Sequence, residues 1–128
     1  MNDDESTTRA ESATDAARQV TAAVDADETV DLLQSLVRIE SPYFHEDEIV
    51  EFVHGWLDDR GLDPRYHTVS EPDITGYEGR NVLVRRSGSD PDAPTLMLNG
   101  HMVTVELVDE WTEDPLSGRI EDGRLYGQ

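Results

Sequence analysis

Histidine and carboxylate side chains define the chemistry open to this sequence, because cysteine is absent. Thiolate nucleophiles, Cys-bound metals and disulfide frameworks are therefore excluded. Four histidines remain: His45, His54, His67 and His101. His45 precedes Glu46, Asp47 and Glu48, which read as the acidic start of a helix, where carboxylates suit the helix dipole. His54 sits near a helix edge before Gly55, and His67 alternates with Tyr66 and Thr68 on a predicted strand. All three read as surface or boundary residues. His101 has a different context. The apolar run "TLMLNG" delivers it just past the end of a predicted strand, where open α/β sheets gather ligands and catalytic groups. One histidine is still a weak metal signal by itself. The carboxylates nearby, Glu106, Asp109, Glu110, Glu113 and Asp114, read as a solvated acidic loop, and Trp56 and Trp111 as core or partly buried aromatics.

The elements that would position His101 can be read from periodicity. Residues 1–24 are rich in Asp, Glu, Ser, Thr and Ala and read as an acidic extension, disordered or a frayed helix, outside a domain of residues 25–128. Asp25, with Glu28 three residues on, is an N-cap for a helix through "DADETVDLLQSLVRIE". Val30, Leu33, Leu36 and Val37 share one face of it, and Ser41-Pro42 ends it. A second helix covers "HEDEIVEFVHGWLDDRG", with Ile49, Val53, Trp56 and Leu57 as its apolar stripe and Gly61 at its C-terminal cap. Strands are then expected at "DPRYHTV", at "RNVLVRR" after a loop through "SEPDITGYEG", and at "TLMLNG", whose continuous apolar run implies burial on both faces. "GRIEDGRLYG" reads as a hairpin turning at Asp122-Gly123. Two helices followed by a partial sheet give an α/β class.

Charge narrows the partners. There are 29 acidic residues and 10 basic ones, for a formal charge of -19, and every basic residue is Arg. Phosphate binding needs a basic patch that this sequence lacks, so nucleic acid and anionic membranes are excluded as partners. A surface so charged repels itself unless salt screens it, which points to a high-salt, halophile-like cytoplasm. No apolar run approaches the ~20 residues of a membrane helix. The acidic N-terminus is unlike a signal peptide, so a cytoplasmic location is expected.

Taken together, "LMLNGHMVTV" and "EWTEDPLSGRIEDGRLYG" resemble the acetylornithine deacetylase, succinyl-diaminopimelate desuccinylase and carboxypeptidase G family of co-catalytic zinc hydrolases. The family pattern, Gly-His-x-Asp-Thr-Val and then a Trp, an Asp-Pro and a Gly-x-Leu-Tyr-Gly hairpin, is matched here by Gly100, His101, Thr104, Val105, Trp111, Asp114, Pro115, Gly123, Leu125, Tyr126 and Gly127. The "LLQSLVRIESP" helix, the Glu-containing second helix and "GRNVLVRR" fit as well, so the resemblance covers roughly residues 27–128. It implies the first part of a zinc exopeptidase-like (phosphorylase/hydrolase-like) catalytic domain, and a substrate that is an N-acyl amino acid or small peptide. It also implies zinc or cobalt as cofactor, with His101 as a metal ligand.

Two departures from the pattern set further expectations. Val103 occupies the position of the family's Asp, whose carboxylate orients the ligand imidazole; losing such a partner typically costs about 10 to 100-fold in metal affinity or activity. The sequence also stops at Gly127-Gln128, ahead of the family's bridging Asp, its Glu pair and its remaining ligands. The resemblance therefore implies an N-terminal portion with no complete catalytic set, inactive alone. Two other readings stay open: a non-catalytic interaction subunit, forming a homo- or hetero-oligomer through an exposed sheet edge, and a truncated gene product without an enzymatic role.

Overall fold

Asp25 does what an N-cap should. Its Oδ1 accepts hydrogen bonds from the backbone N–H groups of Asp27 and Glu28, both at 3.0 Å, using two of the orphan donors at a helix start. The helix it caps, α2, spans Ala26–Val37 and follows α1, Asp3–Ala23. The structure is a computed structural model; it describes residue 3 onward, apart from residues 72 and 74, and side chains from residue 13 onward. The chain divides into two units, residues 1–34 and 35–128. In the first, α1 occupies the stretch read from sequence as an extension, and every residue from 13 to 30 is exposed. Among the described residues no helix is long and apolar enough to cross a membrane.

The second unit is built around α3, Asp47–Asp58. Its acidic first turn, Asp47 and Glu48, matches the positive end of the helix dipole. Gly61 ends it in the left-handed region (φ 66°), which lets the Leu62 N–H return to the Leu57 carbonyl at 3.2 Å. Ile49 and Val50 are the buried aliphatic residues among those described, at 5% and 2% exposure. Val53, Trp56 and Leu57 of the expected stripe are half-buried.

Strands β1, Arg65–Glu71, and β2, Tyr77–Leu83, pair antiparallel, with Arg65 opposite Leu83 and Glu71 opposite Tyr77. The second strand thus lies three residues earlier than the expected 80–86. Two features account for the shift. Pro64 carries no N–H and closes the start of β1, so residues beyond Leu83 have no partner there. At the other end, Tyr77 stacks on Tyr43 with ring centroids 5.1 Å apart. The hairpin of β3, Arg119–Glu121, and β4, Arg124–Tyr126, forms as expected. Asp122 and Gly123 both have positive φ, 50° and 72°, the geometry of a tight turn matching strand twist. Helices with two small antiparallel sheets make an α/β chain.

The expected third strand is not there. Residues 95–100 lack strand pairing, and Leu96, Met97 and Leu98 are 81%, 78% and 86% exposed. A strand buried on both faces needs a neighbour's backbone at each edge and a layer over each face. Among the described residues none is supplied to this run.

Hairpin and helix are tied by Arg80 in β2, whose guanidinium donates to Glu51 Oε1 at 2.7 Å and Asp47 Oδ1 at 2.9 Å, both in α3. The Tyr66 hydroxyl donates to the other Glu51 oxygen at 3.1 Å. The hydrogen bond from Arg80, and then that from Tyr66, pull the Glu51 carboxyl below its ordinary range. Because this carboxyl is more acidic when folded, its stabilising effect is complete above the unfolded value, about pH 4.3 for Glu, and is lost as pH falls through the lower folded value. The pair is exposed and its contribution is small. Thermal melts in constant high salt are expected to fall on acidification below about pH 4.3. They should fall less steeply for Glu51→Gln; identical slopes for both chains would remove Glu51 from the acid response.

Candidate metal site at His101

The loop that carries His101 is fixed on its downstream side by a residue that periodicity could not single out. Ser41, just past α2, is fully buried. Its Oγ donates to the Met102 carbonyl at 2.9 Å and lies 3.4 Å from Thr104 Oγ1. The Thr104 N–H donates to the Ser41 carbonyl at 2.8 Å, and Pro42 and Thr104 form an isolated parallel bridge. In the sequence, Ser41-Pro42 reads only as a helix-ending pair. The missing signal is a pairing between residues 61 to 63 apart, which no local pattern encodes. Further along, the Gln128 side-chain amide donates to the Val105 carbonyl, and the Gln128 N–H to the Pro115 carbonyl at 3.0 Å.

His101 itself is exposed and stands in an irregular segment, not at the end of a buried strand as expected. Its Nδ1 lies 2.9 Å from the Val103 carbonyl oxygen. The family resemblance implies that valine at this position leaves the ring without a side-chain acceptor; in the structure the Val103 backbone provides one.

The other candidates named from the sequence do not converge on His101. Among the described residues no group of three His, Asp or Glu side chains is placed to hold a metal ion. Glu106, Asp109, Glu110, Glu113 and Asp114 are all exposed. Glu113 pairs with Arg119 at 2.7 Å, and Asp114 accepts from the Leu116 N–H at 2.9 Å to form the turn around Pro115. Of the two tryptophans expected to be core or partly buried, Trp111 is 43% exposed and Trp56 is half-buried under the Arg60 guanidinium, 3.5 Å from the ring centroid. His54 stacks on Tyr66 at 4.3 Å, a structural contact, and His45 and His67 are exposed. The described residues therefore do not bring together the roughly three protein ligands a catalytic zinc requires, and do not by themselves fit a zinc or cobalt ion.

Fold and site together describe an α/β chain presenting one imidazole on a loop anchored through Ser41. Comparison with known proteins gives the family. The chain is 31% identical over 99 residues to a probable succinyl-diaminopimelate desuccinylase of Staphylococcus epidermidis, covering 76% of this chain and 22% of that protein. It is 36% identical over 61 residues to a succinyl-diaminopimelate desuccinylase of Delftia acidovorans, covering 46% of this chain and 15% of that protein. With an acetylornithine deacetylase of Erwinia tasmaniensis it shares 32% identity over 80 residues, 62% of this chain and 19% of the relative. No family model and no solved structure matches significantly. The chain is a relative of the succinyl-diaminopimelate desuccinylase and acetylornithine deacetylase family, and it spans about a fifth of the length of the curated relatives it matches.

Proposed function

We propose that residues 25–128 are the N-terminal part of the catalytic domain of a zinc-dependent amidohydrolase acting on N-acyl amino acids or small peptides, with His101 as their contribution to the metal site. The observation that carries this is the coincidence of the family relationship with an exposed imidazole on an anchored loop. A bound zinc would polarise the scissile carbonyl and lower the pKa of an attacking water. The role of this chain's residues is narrower: Ser41 holds the loop, and His101 offers a nitrogen. Among the described residues no group of three potential metal ligands is brought together, so hydrolysis is assigned to the domain as a whole and not to this chain alone. The strongly acidic composition supports a cytoplasm of high salt as its setting.

Calorimetric titration with zinc at high salt tests the ligand count. A single imidazole with scattered carboxylates is expected to bind weakly, with no dissociation constant below about 1 μM, equivalent to roughly -8 kcal/mol. Tighter one-to-one binding would mean that a ligand set exists within this chain.

A second reading has its own support. The exposure of Leu96, Met97 and Leu98 suits a non-catalytic interaction subunit that receives strands from another chain. Light scattering at high salt separates the two: a stable oligomer that forms without metal and persists with His101 replaced favours this second reading.

A further inference from the structure

We infer that the Val103 backbone carbonyl takes over the orienting task of the carboxylate this chain lacks, holding the His101 proton on Nδ1 and leaving Nε2 as the bare donor. The inference rests on His101 being a metal ligand, as proposed above, but its first half stands on geometry alone.

The argument begins with what a carbonyl can do. It has lone pairs and no proton, so it can only accept. With Nδ1 2.9 Å from the Val103 oxygen, the hydrogen bond exists only if Nδ1 carries the hydrogen. In a neutral imidazole the other nitrogen is then unprotonated, and an unprotonated nitrogen is the form that binds a metal. A free histidine side chain in water prefers the opposite tautomer, with its hydrogen on Nε2. The contact at Val103 therefore reverses an intrinsic preference, toward the state needed for binding through Nε2. Metal-binding histidines commonly donate their second ring N–H to a carboxylate or to a backbone carbonyl, and either fixes the ring and its tautomer.

The carbonyl is well placed for this because the chain on both sides of it is held. The peptide before Val103 is anchored by Ser41 Oγ at the Met102 carbonyl, 2.9 Å, and the peptide after it by the Thr104 N–H at the Ser41 carbonyl, 2.8 Å. Valine, branched at Cβ, adds stiffness of its own. The substitution that on sequence grounds abolishes orientation thus removes a negative charge from beside the ring while keeping an acceptor there. Ser41 becomes a positioning residue that acts on the ring through residues 102–104.

Long-range proton–nitrogen NMR of the uniformly labelled chain, folded in high salt at about pH 8 where an ordinary imidazole is neutral, reads the tautomer directly. The His101 signals are assigned by their loss in His101→Ala. The expected spectrum has a protonated Nδ1 and a bare Nε2 for His101. In His101→Ala the Val103 carbonyl carbon should move upfield as its hydrogen bond is lost, with the Glu78 carbonyl carbon in β2 unmoved as a control. A His101 ring protonated on Nε2, an average of the two tautomers, or an unmoved Val103 carbonyl would overturn the inference. Zinc added to the same sample addresses the ligand reading separately. Perturbation of His101 Nε2 ahead of the other three imidazoles supports it, while a bare Nε2 that ignores zinc refutes the ligand role and leaves the carbonyl contact established.

Discussion

Raising KCl from about 0.1 to 3 M is expected to convert this chain from weakly structured to folded, because the Debye length contracts from about 10 Å to under 3 Å over that range. The sequence carries a formal charge of -19 with only 10 cationic side chains. The structure displays the shortage: Arg80 is shared by Asp47 and Glu51, and Arg119 by Glu113 and Glu121. With 29 acidic residues against 10 basic ones, compaction in dilute buffer is opposed by the repulsion among carboxylates. Among the described residues little apolar side-chain area is fully buried to offset it. Ile49 and Val50 contribute about 1.5 to 3 kcal/mol each, so a few kcal/mol of repulsion decides the balance. Far-UV circular dichroism across the salt series should gain helical and strand signal with a cooperative midpoint. Equal ellipticity at every concentration would contradict the halophilic reading and leave the acidity without a physical role.

Parts of this molecule are legible in the sequence because they are governed by neighbours along the chain. Asp25 as an N-cap, Gly61 as a helix terminator and Asp122-Gly123 as a hairpin turn each depend on a few adjacent residues, and each is found where expected. The second strand of the β1–β2 pair departs from its expected place by three residues because a tyrosine stack and the neighbouring Pro64 set the register, and the periodicity of the strand does not contain them. "TLMLNG" departs from its expected strand for a related reason. Its pattern states what environment the run prefers, whereas pairing depends on partners that the described residues do not provide. At the site, the residue type of His101 is readable, but its expected place at the end of a buried strand is not where the structure puts it. The Ser41 anchor and the Val103 carbonyl are not readable, since one is a long-range contact and the other belongs to a backbone that every residue has.

The second large effect is expected when this chain is joined to the region that follows the matched segment in a desuccinylase relative. The 128-residue chain should hydrolyse no N-acyl amino acid at a rate that survives repurification, since among the described residues no set of three metal-ligating groups comes together. The fusion supplies those groups, so with zinc it should hydrolyse an N-acetyl or N-succinyl amino acid. Adding Val103→Asp to it should raise the rate by less than the roughly 10 to 100-fold typical of restoring an orienting partner, because the Val103 carbonyl already accepts the ring N–H. A gain within or above that range would show that the lost carboxylate is needed in its own right.

The ligand role of His101 is the centre of this account, and the same fusion tests it most directly. Zinc content and amide hydrolysis should be measured together for the fusion and for its His101→Gln variant, at matched folding by circular dichroism. The account predicts that the variant holds less zinc and loses more activity than the about 10 to 100-fold attached to an outer partner. A folded His101→Gln fusion that keeps both its zinc and its rate would contradict it.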